Sequence, residues 1–260
     1  MIGVFEHVSK HVIPVLADIV VGYASPDLLH ALAVMDEGSA EAWHAPSNPW
    51  TCDERVLAET CMRGNLRDLQ WLTRTFRPTA DDTRAGGKNK PLRYACENGN
   101  YMMVVWLVRE LGLSIEDVRA NDVASFRHAC RRGHAKIASW LFTTFGIWRE
   151  DVRARDNYAL HWACFRNDLD LAKWLTVTFG LTPEDARERI DVTLLHICNE
   201  GYLDMLEWMV EEFGLAAEDV GISEDYPLTH YVHSEYPPKI RKWLTEKFDL
   251  GERGYLIAAD

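Results

Sequence analysis

From Val56 onward the apolar positions fall at helical spacing, and the whole pattern returns every 34 or 35 residues. Leu171, Trp174, Leu175 and Phe179 lie on one helical face. The tryptophan of that block recurs as Trp71, Trp106, Trp140, Trp174, Trp208 and Trp243. An aromatic residue or leucine follows each at Phe76, Leu111, Phe145, Phe179, Phe213 and Phe248. Cysteine keeps step at Cys61, Cys96, Cys130, Cys164 and Cys198, and an acid at Asp82, Asp117, Asp151, Asp185 and Asp219. Four registers sharing one period are the mark of a tandem repeat.

Each block reads as two short helices and a loop. The first helix runs through an Ala-Cys pair and stops near a glycine such as Gly99 or Gly133, a residue suited to a left-handed helix end. The second ends at Gly112, Gly146, Gly180 or Gly214. In the loop, Thr182-Pro183-Glu184-Asp185 predicts an extra helical turn: threonine caps, proline fits the first turn, and the carboxylates oppose the helix dipole. Thr79 and Ser114 start similar segments. A helix pair cannot bury its apolar face alone, so the pairs are expected to stack. The fold class is therefore all-α, a solenoid of about six stacked helix-loop-helix repeats, degenerate near Pro237 and Pro238.

Residues 1–55 fall outside the period and residues 56–260 within the repeat domain. Ser25-Pro26-Asp27 reads as a helix start, with Leu28, Leu29, Leu32 and Met35 as an apolar stripe. This region is expected to be a helical cap over the open end of the first repeat.

The strings LRYAC from Leu92 and LHWAC from Leu160, with the Gly133-His134 pair, resemble the ankyrin pattern T-P-L-H-x-A-A-x-x-G-H. The resemblance covers roughly residues 56 to 250 and implies a non-enzymatic scaffold for protein–protein interaction. Its departures are clear. Proline survives only at Pro91 and Pro227, and the family histidine, kept at His161, becomes Arg93, Arg127, Leu195 and Thr229. The Trp-rich, FGL-containing units are similar to ankyrin proteins of large DNA viruses and protists, which would place the protein in an infected host cell. Ile13-Pro14, Ser25 to Leu29, Leu32 and Trp43 resemble an F-box order of residues, which implies the alternative of a substrate adaptor for a Skp1-containing ubiquitin ligase.

Charge narrows the partners. Lys and Arg number 28 against 40 Asp and Glu, a net charge of −12. Such a surface opposes general binding of nucleic acid or an acidic membrane. The most apolar stretch, residues 12–23, is too short to span a bilayer and contains Asp18. An intracellular, cytoplasmic monomer is expected. Stacked helices lie about 8–10 Å apart, beyond disulfide reach, so the five periodic cysteines are expected to be reduced and buried. No metal, cofactor or catalytic residue is expected: zinc spacings, P-loops and nucleophile elbows are missing from the sequence. An enzyme with an unrecognised site is the alternative of another class.

The ankyrin resemblance implies that partners meet the concave face, at the residue before Ala-Cys and the two after it. Arg127, Arg131, Arg132, Trp162, Phe165 and Arg166 form the expected partner site, because exposed arginines and aromatics are common interface anchors. Trp148 joins them from a loop cap, a place that needs no bulky side chain.

Overall fold

The computed structural model describes residues 54–84, 89–220 and 236–249. They are helical, with two 3-10 turns and no strand among them. They fall into two units that divide between Gly146 and Ile147.

In unit 1 three helix pairs follow one another. They are α1 (Glu54–Arg63) with α2 (Leu66–Phe76), α3 (Lys90–Glu97) with α4 (Tyr101–Leu111), and α5 (Ile115–Arg131) with α6 (Ala135–Phe145). First helices pack on first helices, α1 on α3 on α5, and second helices form their own layer, α2 on α4 on α6. The apolar stripes meet between the layers, where Leu57, Leu69, Leu92, Leu107, Phe126 and Leu141 are fully buried. Burial of side chains this size stabilises by about 1.5–3 kcal/mol each. The loop turn and the third first helix run together as α5, but its backbone leaves the helix at Ala120 and is left-handed through Asn121, Asp122 and Val123.

Unit 2 opens on the loop turn α7 (Arg149–Val152), followed by α8 (Ala154–Phe165) paired with α9 (Leu169–Phe179). The turn α10 (Pro183–Arg187) leads to α11 (Ile190–Glu200) and α12 (Leu203–Phe213). The helix α13 (Pro238–Phe248) is the second helix of a further pair. Five of the six expected pairs are thus described in full. The first helix of the sixth, and residues 1–53 with the cap or F-box-like reading, lie outside the described residues. No described helix is long and apolar enough to cross a membrane.

The first helices end in carbonyls with no partner of their own, and at α1, α3 and α8 the next repeat supplies donors. The Asn98 amide donates to the Cys61 and Met62 carbonyls, and a His134 ring nitrogen to that of Glu97. In unit 2 a His196 ring nitrogen donates to the carbonyl of Phe165.

All five periodic cysteines are buried thiols outside any disulfide. Burial pushes the Cys164 and Cys198 thiols up to about 12, and Cys96 further still. The thiolate is the reactive form. Iodoacetamide at neutral pH should therefore leave these five unlabelled in the folded chain, while the urea-unfolded chain takes up label at all of them. Rapid labelling of the folded chain, read by mass spectrometry, would contradict the burial.

Candidate protein-binding faces

The loop turns set the spacing of the first helices. At each turn the periodic aspartate folds back to accept the backbone N–H of the capping residue. Ser114 donates to Asp117 at 2.8 Å, Trp148 to Asp151 at 2.9 Å, Thr182 to Asp185 at 2.8 Å and Ala216 to Asp219 at 2.9 Å. The hydroxyls of Ser114 and Thr182 donate as well. This half is the capping pattern read from the sequence.

The other half was not. An arginine from the preceding loop grips the same aspartate. Arg84 binds Asp117 through two nitrogens at 2.7 and 2.9 Å, and Arg187 binds Asp219 at 3.0 and 3.3 Å. Asp185 takes Arg153 at 2.6 and 2.9 Å and Arg149 at 3.0 Å. Burial works to raise the Asp117 and Asp185 carboxyls. The arginines and the capping N–H groups outweigh it and hold Asp117 below, and Asp185 well below, the usual carboxylate range. For Asp219 the Arg187 guanidinium is the main cause of a shift in the same direction. The sequence carried the signal: Arg84, Arg119, Arg153 and Arg187 each stand two residues after a periodic aspartate.

On this frame the expected site residues take different places. Arg127 is a correction. Its side chain turns inward, 4% exposed, and donates to the carbonyls of Asn121 and Asp122 at the left-handed turn. Those carbonyls point away from any helix and need a donor, so Arg127 serves its own loop and offers nothing to a partner. Arg131 is half-buried and Arg132 exposed at the end of α5, where Arg132 pairs with Glu97 at 3.0 Å.

In unit 2, Trp162 and Phe165 come together on α8 with ring centres 5.2 Å apart. Phe165 stacks flat on His196 of α11 at 3.4 Å, and the Tyr158 ring lies 5.9 Å from Trp162. His161 closes the cluster. Its Nδ1 meets the Thr193 hydroxyl, which itself donates to the Arg189 carbonyl at 3.0 Å. The hydroxyl proton is committed there, so Nδ1 carries the imidazole proton. Burial first, then Arg189 and His196, hold His161 below the ordinary imidazole value, so it is neutral at pH 7. Sequence reasoning missed Val192 and Leu195, which stand 58% and 46% exposed on α11. The alternation of α11 could have revealed them, since Leu195 occupies the position that His161 holds one repeat earlier. Arg166 is exposed at the end of α8. Trp148 is 66% exposed at the start of α7 and contributes only its backbone to the turn.

Residues 92–185 match the family model for ankyrin repeats, in three copies. Over that stretch the chain carries ankyrin repeats. No curated protein matched it. Ankyrin repeats are in general modules for protein–protein interaction, and the first helices of an ankyrin array carry the residues described above. The departures from the ankyrin pattern now have physical content. Where the family has histidine, His161 keeps a link to the next repeat, Arg127 satisfies a left-handed turn, and Leu195 is left facing solvent.

Proposed function

We propose that the protein is a non-enzymatic scaffold that holds a protein partner on the face made by the first helices of its ankyrin pairs. The observation that carries this reading is the Trp162–Phe165–His196 cluster beside the exposed Val192 and Leu195. Aromatic rings held rigid by their neighbours lose little entropy when a partner covers them, and large aromatics dominate interface energies. Arg166 supplies a polar rim, with Trp148 as a second contact on the loop side of the same unit.

The test starts with affinity purification from native host cells and identification of the captured protein by mass spectrometry. Binding of that protein is then measured for a Trp162→Ala, Leu195→Glu variant. Affinity should fall at least about tenfold, as expected for losing a hot-spot aromatic and placing a charge in an apolar contact. Helicity by circular dichroism should hold, because Leu195 faces solvent. Full affinity in the variant would sink the reading.

A further inference from the structure

The open side of α11 carries two adjacent rows of side chains. Asp191, Leu195 and Asn199 make one, and Val192, His196 and Glu200 the other, each residue one turn from the next. His196 lies flat on Phe165 of α8, so the second row runs on into the aromatic cluster. Val192 and Leu195 put an apolar strip along the middle. A carboxylate closes each end, Asp191 at the start of the first row and Glu200 at the end of the second. Both are exposed, and among the described residues neither takes part in an ion pair.

The imidazoles beside the strip add acceptors. His161 carries its proton on Nδ1, which leaves the lone pair on Nε2. His196 commits its Nε2–H to the Phe165 carbonyl, so Nδ1 of the neutral ring is an acceptor too. The Arg189 guanidinium is taken by Asp156 at 3.1 Å, and Arg166 is the exposed cation at the end of α8. The wider charge has the same sign as the two carboxylates. Residues 147–220 hold 16 Asp and Glu against 7 Lys and Arg, whereas residues 54–146 hold 10 against 15. An apolar strip set in a field of one sign draws a partner of the other sign and fixes how it lies.

We infer that this face takes a basic segment of a protein partner. Its apolar side chains lie over Val192, Leu195 and Phe165, and lysines or arginines on either side of them reach Asp191 and Glu200. The aliphatic stems of those cations extend the apolar contact while their heads stay in water. An acidic segment would meet a like charge at both ends of the strip, which costs binding. The inference rests on the scaffold reading and deepens it by naming the chemistry of the partner.

The experiment is a selection of peptides from a random library displayed on phage, against the whole chain, with the Trp162→Ala, Leu195→Glu variant used for counter-selection. The peptides retained should carry apolar residues flanked by lysine or arginine. Fluorescence anisotropy of one such labelled peptide should show binding that weakens as salt rises. Asp191→Asn with Glu200→Gln should weaken it about fivefold at low salt, as expected for two exposed charge pairs. Asp204→Asn with Glu211→Gln removes two carboxylates of the same unit on α12 and should change it by less than about twofold. Helicity should hold in both double variants, since all four residues are exposed. Retained peptides without basic residues, or equal effects of the two double variants, overturn the inference and leave the scaffold reading standing. A library that yields no peptide able to tell the Trp162→Ala, Leu195→Glu variant from wild type overturns both. Analytical ultracentrifugation tests for a second copy in the same place: dimers that Asp191→Asn with Glu200→Gln dissolves would also overturn the inference.

Discussion

Replacing Asp185 by alanine should destabilise the protein by about 3 kcal/mol, lowering the midpoint of urea unfolding followed by circular dichroism. Asp185 is 4% exposed and serves four donors: the Thr182 backbone and hydroxyl, Arg153 and Arg149. Loss of a helix cap alone costs about 1 kcal/mol. Breaking a buried ion pair costs about 3–5 kcal/mol, because it leaves a charge behind without its partner. Here the arginine side chains are 34% and 41% exposed, so water recovers part of that cost and the lower end applies. Glu246→Ala is the control. Its pair with Lys242 on α13 spans 3.8 Å between side chains 66% and 75% exposed, and its loss should change stability by no more than about 0.5 kcal/mol. Equal effects at the two positions would mean that the loop ladder does not hold the repeats together.

The same ladder gives the protein an acid limit. Asp117, Asp185 and Asp219 are all held below their ordinary values in the folded state. A carboxyl depressed by folding contributes stability that is present above its unfolded value and lost as pH falls through the folded one. Stability should therefore hold down to about pH 5 and fall steadily below about pH 4. Asp185→Asn should flatten that acid slope, since one of the three linked protons is gone.

Gly99→Ala should cost about 2–3 kcal/mol, well above an ordinary surface substitution. Gly99 sits at φ +74 at the end of α3, and a Cβ there would lie 2.5 Å from the His134 ring. His134 cannot yield freely, because it donates to the Glu97 carbonyl at 3.0 Å. The variant thus adds the left-handed penalty of a side chain, about 1–2 kcal/mol, to the loss of a hydrogen bond that links two repeats. Gly112→Ala separates the two effects. That glycine has φ +60 and nothing within 4 Å of the added atom, so only the conformational part remains. Adding His134→Ala to Gly99→Ala should cost less than the sum of the single changes, because the clash is removed along with its partner. Additive costs would show that the close approach is not the cause.

The periodicity was fully legible in the chain. Trp, Cys and Asp registers mark the pairs because a stacked repeat must present the same small, apolar or capping side chain at the same place each time. Burial of Cys96 and Cys130, and the return of Asp117 and Asp185 to their capping residues, follow from such local spacing. Pairings that reach from one repeat to the next did not. Arg153 could have remained a solvated surface charge; it meets Asp185, 32 residues on, because of how far α10 is displaced from α7. Arg127 reads as an interface arginine from its place beside Ala-Cys, yet the left-handed carbonyls of Asn121 and Asp122 draw it inside. Likewise, Phe165 and His196 are 31 residues apart, and their flat stacking depends on the offset between α8 and α11. Spacing along the chain determines which residues share a helix face. Which of them touch across helices is decided by the rise and rotation between repeats, and by which buried polar groups lack a partner within their own.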